Sequence, residues 1–341
     1  MPTMASKDGS RGPENSEAML STARSVIRTC LQVRREEDVL VITDPDTADV
    51  GQALYEEASR VTDRILLVMM PPTQKTGKEP PLPVSDIMRK NRVIIIATKD
   101  SMTHTRARAA ATREGARIVS MPGIGRISFE SGGMTADYNA LQREVSGMGS
   151  IFRRRRRVSV KSEAGTDVEF LTGDRWILED TGICNRPGQI ANLPAGKVFV
   201  LPKEGSMNGT IVIDGSWEGR MLEEPLTLKV EAGIVTEVSG GEIADEISAV
   251  FDVARLGLRS SKRDQVWTVA EFGFGMNPKA ALMGNKVEDL VVRGGAYFGF
   301  GDSTHIGGNA RVGIHLRGSL VDPEVSLEGS VIVSDGKIAT R

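Results

Sequence analysis

The sequence predicts an α/β domain, a parallel sheet with helices on both faces, followed by a β-rich, barrel-like α+β domain that carries the reaction centre. Three observations predict this. Over the first 150 residues, wholly apolar runs of strand length alternate with amphipathic stretches, the pattern of a sheet buried on both faces. Past residue 150 the pattern changes to short alternating segments, frequent glycine and tight turns. The length, 341 residues, also exceeds what one hydrophobic core usually serves.

Residues 1–15 mix Lys, Asp, Arg, Pro and Glu without an apolar centre, so a flexible arm is expected there rather than a signal peptide. From Ser16 onward, Met19, Leu20, Ala23, Val26, Ile27 and Cys30 recur at helical spacing. Strands are expected at 38–43, 64–69, 92–97 and 116–121, and helices at 46–60, 84–89, 103–114 and 134–149. These make up an α/β domain over 16–150. In the second domain, 151–341, the turn Glu163-Ala-Gly165 joins 158–160 to 167–170 as a hairpin. Strands follow at 198–201, 210–213, 226–230 and 234–238, and one long helix is expected over 241–256.

Composition narrows the function. Forty-three basic against forty-five acidic residues leave a formal charge of -2, which gives no general attraction to nucleic acid or to an anionic membrane. Aromatic residues make up 4%, too few for a base-stacking surface. The longest apolar runs are strand-sized, so no bilayer span is expected. Two cysteines, Cys30 and Cys184, make neither a disulfide framework nor a cysteine metal knuckle, and a cytoplasmic location fits best.

Several motifs are candidates for chemistry. Asp44-Pro-Asp-Thr47 opens a helix where a dinucleotide fold would hold a pyrophosphate, but it lacks the glycines, so no nucleotide cofactor is expected and the residues read as a cap. The stretch 99–106, at the carboxyl edge of a parallel strand, holds His104. Either Ser101 or Thr103 caps the next helix there with His104 at an interface, or the set binds ligand. Arg153 to Arg157 reads as a solvated linker or as an interface paired with acidic residues.

The segment from Glu271 to Arg317 is different in kind. Glu271-Phe-Gly-Phe-Gly-Met-Asn-Pro278 puts a carboxylate at a strand end, then glycines that leave room beside it, then a turn. Gly294 to Asp302 is a second glycine-spaced strand, and His305 and His315 follow. Glu271, His305 and His315 match the two-histidine, one-carboxylate set that binds iron(II) or catalytic zinc. Alternatively, the histidines are hydrogen-bonded core residues.

These residues, with Asn192-Leu-Pro-Ala-Gly-Lys197, Thr103-His-Thr-Arg106 and Met121-Pro-Gly-Ile124, resemble the metalloaminopeptidases of the aminopeptidase T or leucyl aminopeptidase group. The relatives of that group include the iron-dependent 2,5-dihydroxypyridine dioxygenases. The resemblance implies an α/β domain, a β-rich metal domain and a homo-oligomer. It matches Glu271 to a metal-binding glutamate of the peptidases, a position that holds a histidine in the dioxygenases, and His315 to the histidine of a His-x-Asp ligand pair. It also exposes departures: Lys197 stands where a glutamate ligand is expected, Tyr297 where a histidine is, and Arg317 where the aspartate is. Two carboxylates replaced by cations leave too little negative charge for a two-metal peptidase centre.

The resulting expectation is a hydrolase-like enzyme for a small polar or anionic molecule, with weak or absent peptide trimming and one divalent ion, zinc, manganese or iron. Its catalytic set is Glu271, Tyr297, His305 and His315, with Tyr297 as an acid. Lys197, Arg317, His104 and Asp302 are expected to bind substrate. Iron-dependent ring cleavage, a metal-free acid–base enzyme and an inactive binding protein are the alternatives.

Overall fold

A computed structural model describes residues 15–173 and 178–339. The expected N-terminal arm, apart from Asn15, lies outside the described residues.

The first part is a parallel sheet in the order Ile65–Met69, Val39–Thr43, Val93–Ala97, Arg117–Ser120, Ile190–Asn192. Its apolar runs send alternate side chains to opposite faces. Val39, Val41, Val93, Ile95 and Val119 join one core, whereas Leu40, Ile42, Ile94, Ile96 and Ile118 join another with Met88, Ala107 and Ala111 of the facing helices. Both faces are therefore covered. The last strand comes from beyond residue 150, so the chain returns to this sheet after the expected boundary. The helix Tyr138–Phe152 also spans that boundary: Tyr138, Leu141 and Val145 lie in the same core as the β-rich part, and the Phe152 ring stacks on Phe274 at 5.6 Å.

The second part consists of two antiparallel sheets. One has eight strands. The other has seven, in the order Arg220–Met221, Ser216–Trp217, His315–Leu320, Ala296–Gly301, Val269–Gly275, Lys197–Val200, Leu178–Asp180. They share a phenylalanine-rich interior, where Phe272 packs on Phe170 at 5.3 Å and on Phe298 at 5.1 Å. Removing any one of these rings would cost about 3–5 kcal/mol. The β-rich expectation is met by two facing sheets joined by the bridges Ile234–Thr268 and Thr172–Pro202. The long helix Gly241–Leu256 buries Ala244, Ile247 and Phe251.

One local expectation is corrected, and the acidic pairing of the arginine run and the Asp44 cap are met. The helix Arg106–Arg113 is capped by Thr105, whose hydroxyl accepts from the Arg108 N–H, rather than by Ser101 or Thr103. The arginine run enters the strand Arg157–Lys161, with Arg153 paired to Glu179 at 2.9 Å and Arg157 to Glu169 at 2.5 Å. Asp44 does cap its helical turn: its carboxylate accepts from Asp46 N–H and Thr47.

Candidate functional site

The seven-stranded sheet is apolar on one face and polar on the other because phenylalanine and glycine alternate along its central strands. Directly opposed residues of an antiparallel pair share a face. Glu271 opposes Gly299, which opposes Arg317; Gly301 opposes His315; Gly273 lies between Tyr297 and Phe199; Gly275 opposes Lys197. The glycines hold space for the functional side chains. A Cβ on Gly299 would lie 2.9 Å from Glu271 Cβ and 2.9 Å from His315 Cε1, and one on Gly273 would lie 2.6 Å from the Tyr297 ring.

Glu271 is the hub, with no exposed surface. Its Oε1 accepts from the Tyr297 hydroxyl at 2.5 Å. Its Oε2 faces His315 Nε2 at 3.0 Å, His305 Nε2 at 3.5 Å, and Arg317 Nη2 and Nε at 3.1 and 3.3 Å. Burial opposes ionisation of this carboxyl, but Arg317, His305 and His315 outweigh it and hold the group well below the usual carboxylate range.

The three potential ligands come from three segments: Glu271 from Val269–Gly275, His305 from the turn Thr304–Ile306, and His315 from the start of His315–Leu320. One donor atom from each lies within 4.8 Å of the others. Ligand bonds of about 2.1 Å around one ion put neighbouring donor atoms about 3.0–3.5 Å apart, as the Glu271–His315 and Glu271–His305 separations are. The hydrogen-bond inventory of His315 agrees. Its Nδ1 faces the Asp302 carbonyl at 2.9 Å and its Nε2 faces a carboxylate oxygen. Burial lowers the ring's pKa, and a neutral imidazole has one proton for these two acceptors. With that proton on Nδ1, the Nε2 lone pair points at Glu271, a contact that a cation between them makes favourable. The donor set therefore fits one divalent ion.

His104, the third histidine of the chain, is brought to the same place from the α/β part. Its ring centroid is 6.2 Å from that of His305, which is 4.4 Å from that of His315. The loop after Val93–Ala97 is fixed by Thr103, whose hydroxyl contacts Ser120 Oγ and Asn192 Oδ1, while its carbonyl accepts from Arg108 Nε at 2.6 Å. Burial, then the nearby His305 and Arg317, lower the His104 pKa to about 4, so it is neutral at ordinary pH. The turn after the Glu271 strand completes the junction. Buried Asn277 donates to the Gly133 and Ala195 carbonyls at 3.0 and 2.7 Å.

The remaining expected residues lie apart from this cluster or act differently within it. Tyr297 is wholly buried, and burial followed by Glu271 raises its pKa well above the ordinary value, so it stays protonated and donates to Glu271. Lys197 pairs with Asp180 at 2.9 Å, and no contact joins it to Glu271. The Asp302 carboxylate accepts from Thr304, Val312 and Gly313 and so shapes the His305 loop, while its carbonyl serves His315. Sequence reasoning missed Asp180 and Glu218, which accepts the Arg317 backbone N–H at 2.7 Å. Only strand register reveals them.

Comparisons with known proteins bear on this geometry. The sequence profile of the family described as 2,5-dihydroxypyridine 5,6-dioxygenase matches residues 18–340. The curated 2,5-dihydroxypyridine 5,6-dioxygenase of Pseudomonas putida KT2440 is 24% identical over 213 residues, so the matched region spans 58% of this chain and 58% of that relative. Among solved structures, 2,5-dihydroxypyridine dioxygenase from Pseudomonas putida KT2440 superposes with a TM-score of 0.79 at 18% identity, covering 95% of this chain and 97% of that one. AmpT from Thermus thermophilus superposes at 0.69 and 13% identity, covering 95% and 99%. At these identities the structural likeness establishes the fold. Among the described residues, no helix is long and apolar enough to cross a membrane.

Proposed function

Since the chain belongs to the 2,5-dihydroxypyridine 5,6-dioxygenase family, we propose that it is an iron(II)-dependent oxygenase that opens a small hydroxylated aromatic ring. The observation that carries this reading is the convergence of Glu271, His305 and His315. Two imidazoles and one carboxylate are the ligand set of non-haem iron(II) oxygenases, and three protein ligands leave positions open. Iron bound there would supply the redox chemistry and those positions. The hydrolase expectation has less support: the family match favours ring oxygenation, and Lys197, in its pair with Asp180, supplies a cation where a second peptidase metal would need a carboxylate.

The chain's own residues divide the remaining work. Tyr297 holds one oxygen of Glu271 and leaves the other for a ligand bond. The Asp302 carbonyl fixes the His315 tautomer with Nε2 free to bind metal. Neutral His104, with its ring centroid 6.2 Å from that of His305, offers a hydrogen-bond acceptor to a ring hydroxyl as the substrate seats. A second reading, favoured by the Arg317 guanidinium 3.1 Å from Glu271 Oε2, is a metal-free acid–base site in which that ion pair replaces the metal.

The test is oxygen uptake by protein loaded with iron(II) under nitrogen and then mixed with aerated 2,5-dihydroxypyridine. Uptake tied to loss of ring absorbance supports the proposal. Bound iron with no uptake across a panel of dihydroxylated pyridines and benzenes defeats it, and hydrolysis of aminoacyl anilides would restore the hydrolase reading.

A further inference from the structure

The charges around Glu271 do not balance once a divalent ion is bound. Glu271 is the one carboxylate whose oxygens reach the cluster among the described residues. Asp302 turns both oxygens toward Thr304, Val312 and Gly313. Glu218 takes the Arg317 backbone N–H and pairs with Lys286, and Asp180 is neutralised by Lys197. A dication and Arg317 against one carboxylate leave a surplus of two positive charges, and ligating histidines are neutral and add none. A buried surplus of that size is costly until anions enter. One ring phenolate supplies a single negative charge.

The guanidinium is set up to take the second. Its Nε and Nη2 both go to Glu271 Oε2, and Nη1 has no partner among the described residues. The Arg317 side chain keeps 22% of its surface exposed, beside the exposed parts of His305 (26%) and His315 (13%). Arginine's planar fork suits a carboxylate. Because the ion and the guanidinium would share one oxygen of Glu271, the substrate groups they hold sit close together, as a hydroxyl and a carboxylate on neighbouring ring carbons do.

We propose that the substrate is an aromatic ring with a hydroxyl and an adjacent carboxylate, and that Arg317 reads the carboxylate through Nη1. The inference rests on the oxygenase reading and specifies the ring that site accepts. The matched probes are 2,5-dihydroxybenzoate and 1,4-dihydroxybenzene, which differ by the carboxylate alone, titrated into iron(II)-loaded protein without oxygen. The carboxylated ring should bind about tenfold tighter or more, the gain of a charge-assisted hydrogen bond. Within Arg317→Gln the two affinities should converge, and within Arg317→Lys part of the preference should return; metal content is measured first for each variant.

Equal affinities in the wild type overturn the substrate class. A preference that survives Arg317→Gln overturns the role of Arg317. Binding of neither ring to metal-loaded wild type, or binding of both with equal affinity, defeats this inference, while the oxygenase reading stands or falls on oxygen uptake with dihydroxylated pyridines and benzenes.

Discussion

Tyr297→Phe removes one hydroxyl from the centre of the site and keeps the ring in the space that Gly273 leaves for it. Glu271 Oε1 then loses its donor inside a carboxylate with no exposed surface. The bond is short, 2.5 Å, and charge-assisted, so its loss should destabilise the metal-free protein by about 1.5–3 kcal/mol. A carboxylate released at one oxygen also turns more freely, and loss of an outer partner of this kind lowers metal affinity by about 10- to 100-fold. Tyr138→Phe is the control: Tyr138 is equally buried, and its hydroxyl donates to the Gly133 carbonyl at 3.1 Å, away from the ligand set. Urea denaturation gives the stability change, and competition with a chromophoric chelator gives the metal affinity. The account expects both variants to lose stability and Tyr297→Phe alone to lose metal affinity. Unchanged affinity in Tyr297→Phe, or an equal drop in both, would refute the positioning role.

Gly299→Ala brings a methyl to 2.9 Å from both Glu271 Cβ and His315 Cε1, so metal binding should fall below detection with a stability loss of about 1–3 kcal/mol; an intact metal content would show that the strands can move apart. Lys197→Met leaves Asp180, which has 14% of its side chain exposed, without its cation, and should cost about 3 kcal/mol, mostly regained with Asp180→Asn in addition; a single variant as stable as wild type would mean that water screens the pair. For His104, the folded pKa of about 4 lies below the ordinary 6.5, so between those values the unfolded chain binds the extra proton and stability rises with pH, levelling above 6.5. His104→Gln should flatten that slope in urea midpoints from pH 4 to 6.5. An unchanged slope would show that the exposed ring titrates freely.

The parallel sheet was legible because a strand buried on both faces must be apolar at every position, as Val39–Thr43 and Val93–Ala97 very nearly are. The alternation in Glu271-Phe-Gly-Phe-Gly and Tyr297-Phe-Gly-Phe-Gly was visible as glycine leaving room. What fills that room depends on register, which pairs Glu271 with Gly299 and Gly299 with Arg317. The sequence places Lys197 in the site because family motifs align it there, yet the opposing strand delivers Asp180 to neutralise it. The sequence names Tyr297 as an acid, and only the folded strands show its burial and its bond to Glu271. His104 left two readings open because its partners lie some 200 residues away in the chain and no local pattern records an approach of that kind.

Glu271, His305 and His315 are proposed to hold one iron(II). Elemental analysis of protein purified without chelator and loaded with iron(II) under nitrogen, in parallel with Glu271→Ala, His305→Ala and His315→Ala, tests it most directly. The wild type should hold about one equivalent of iron and all three variants should lose it, each still folded by far-ultraviolet circular dichroism. A wild type that retains no metal, or a His305→Ala variant that retains the full equivalent, would contradict it.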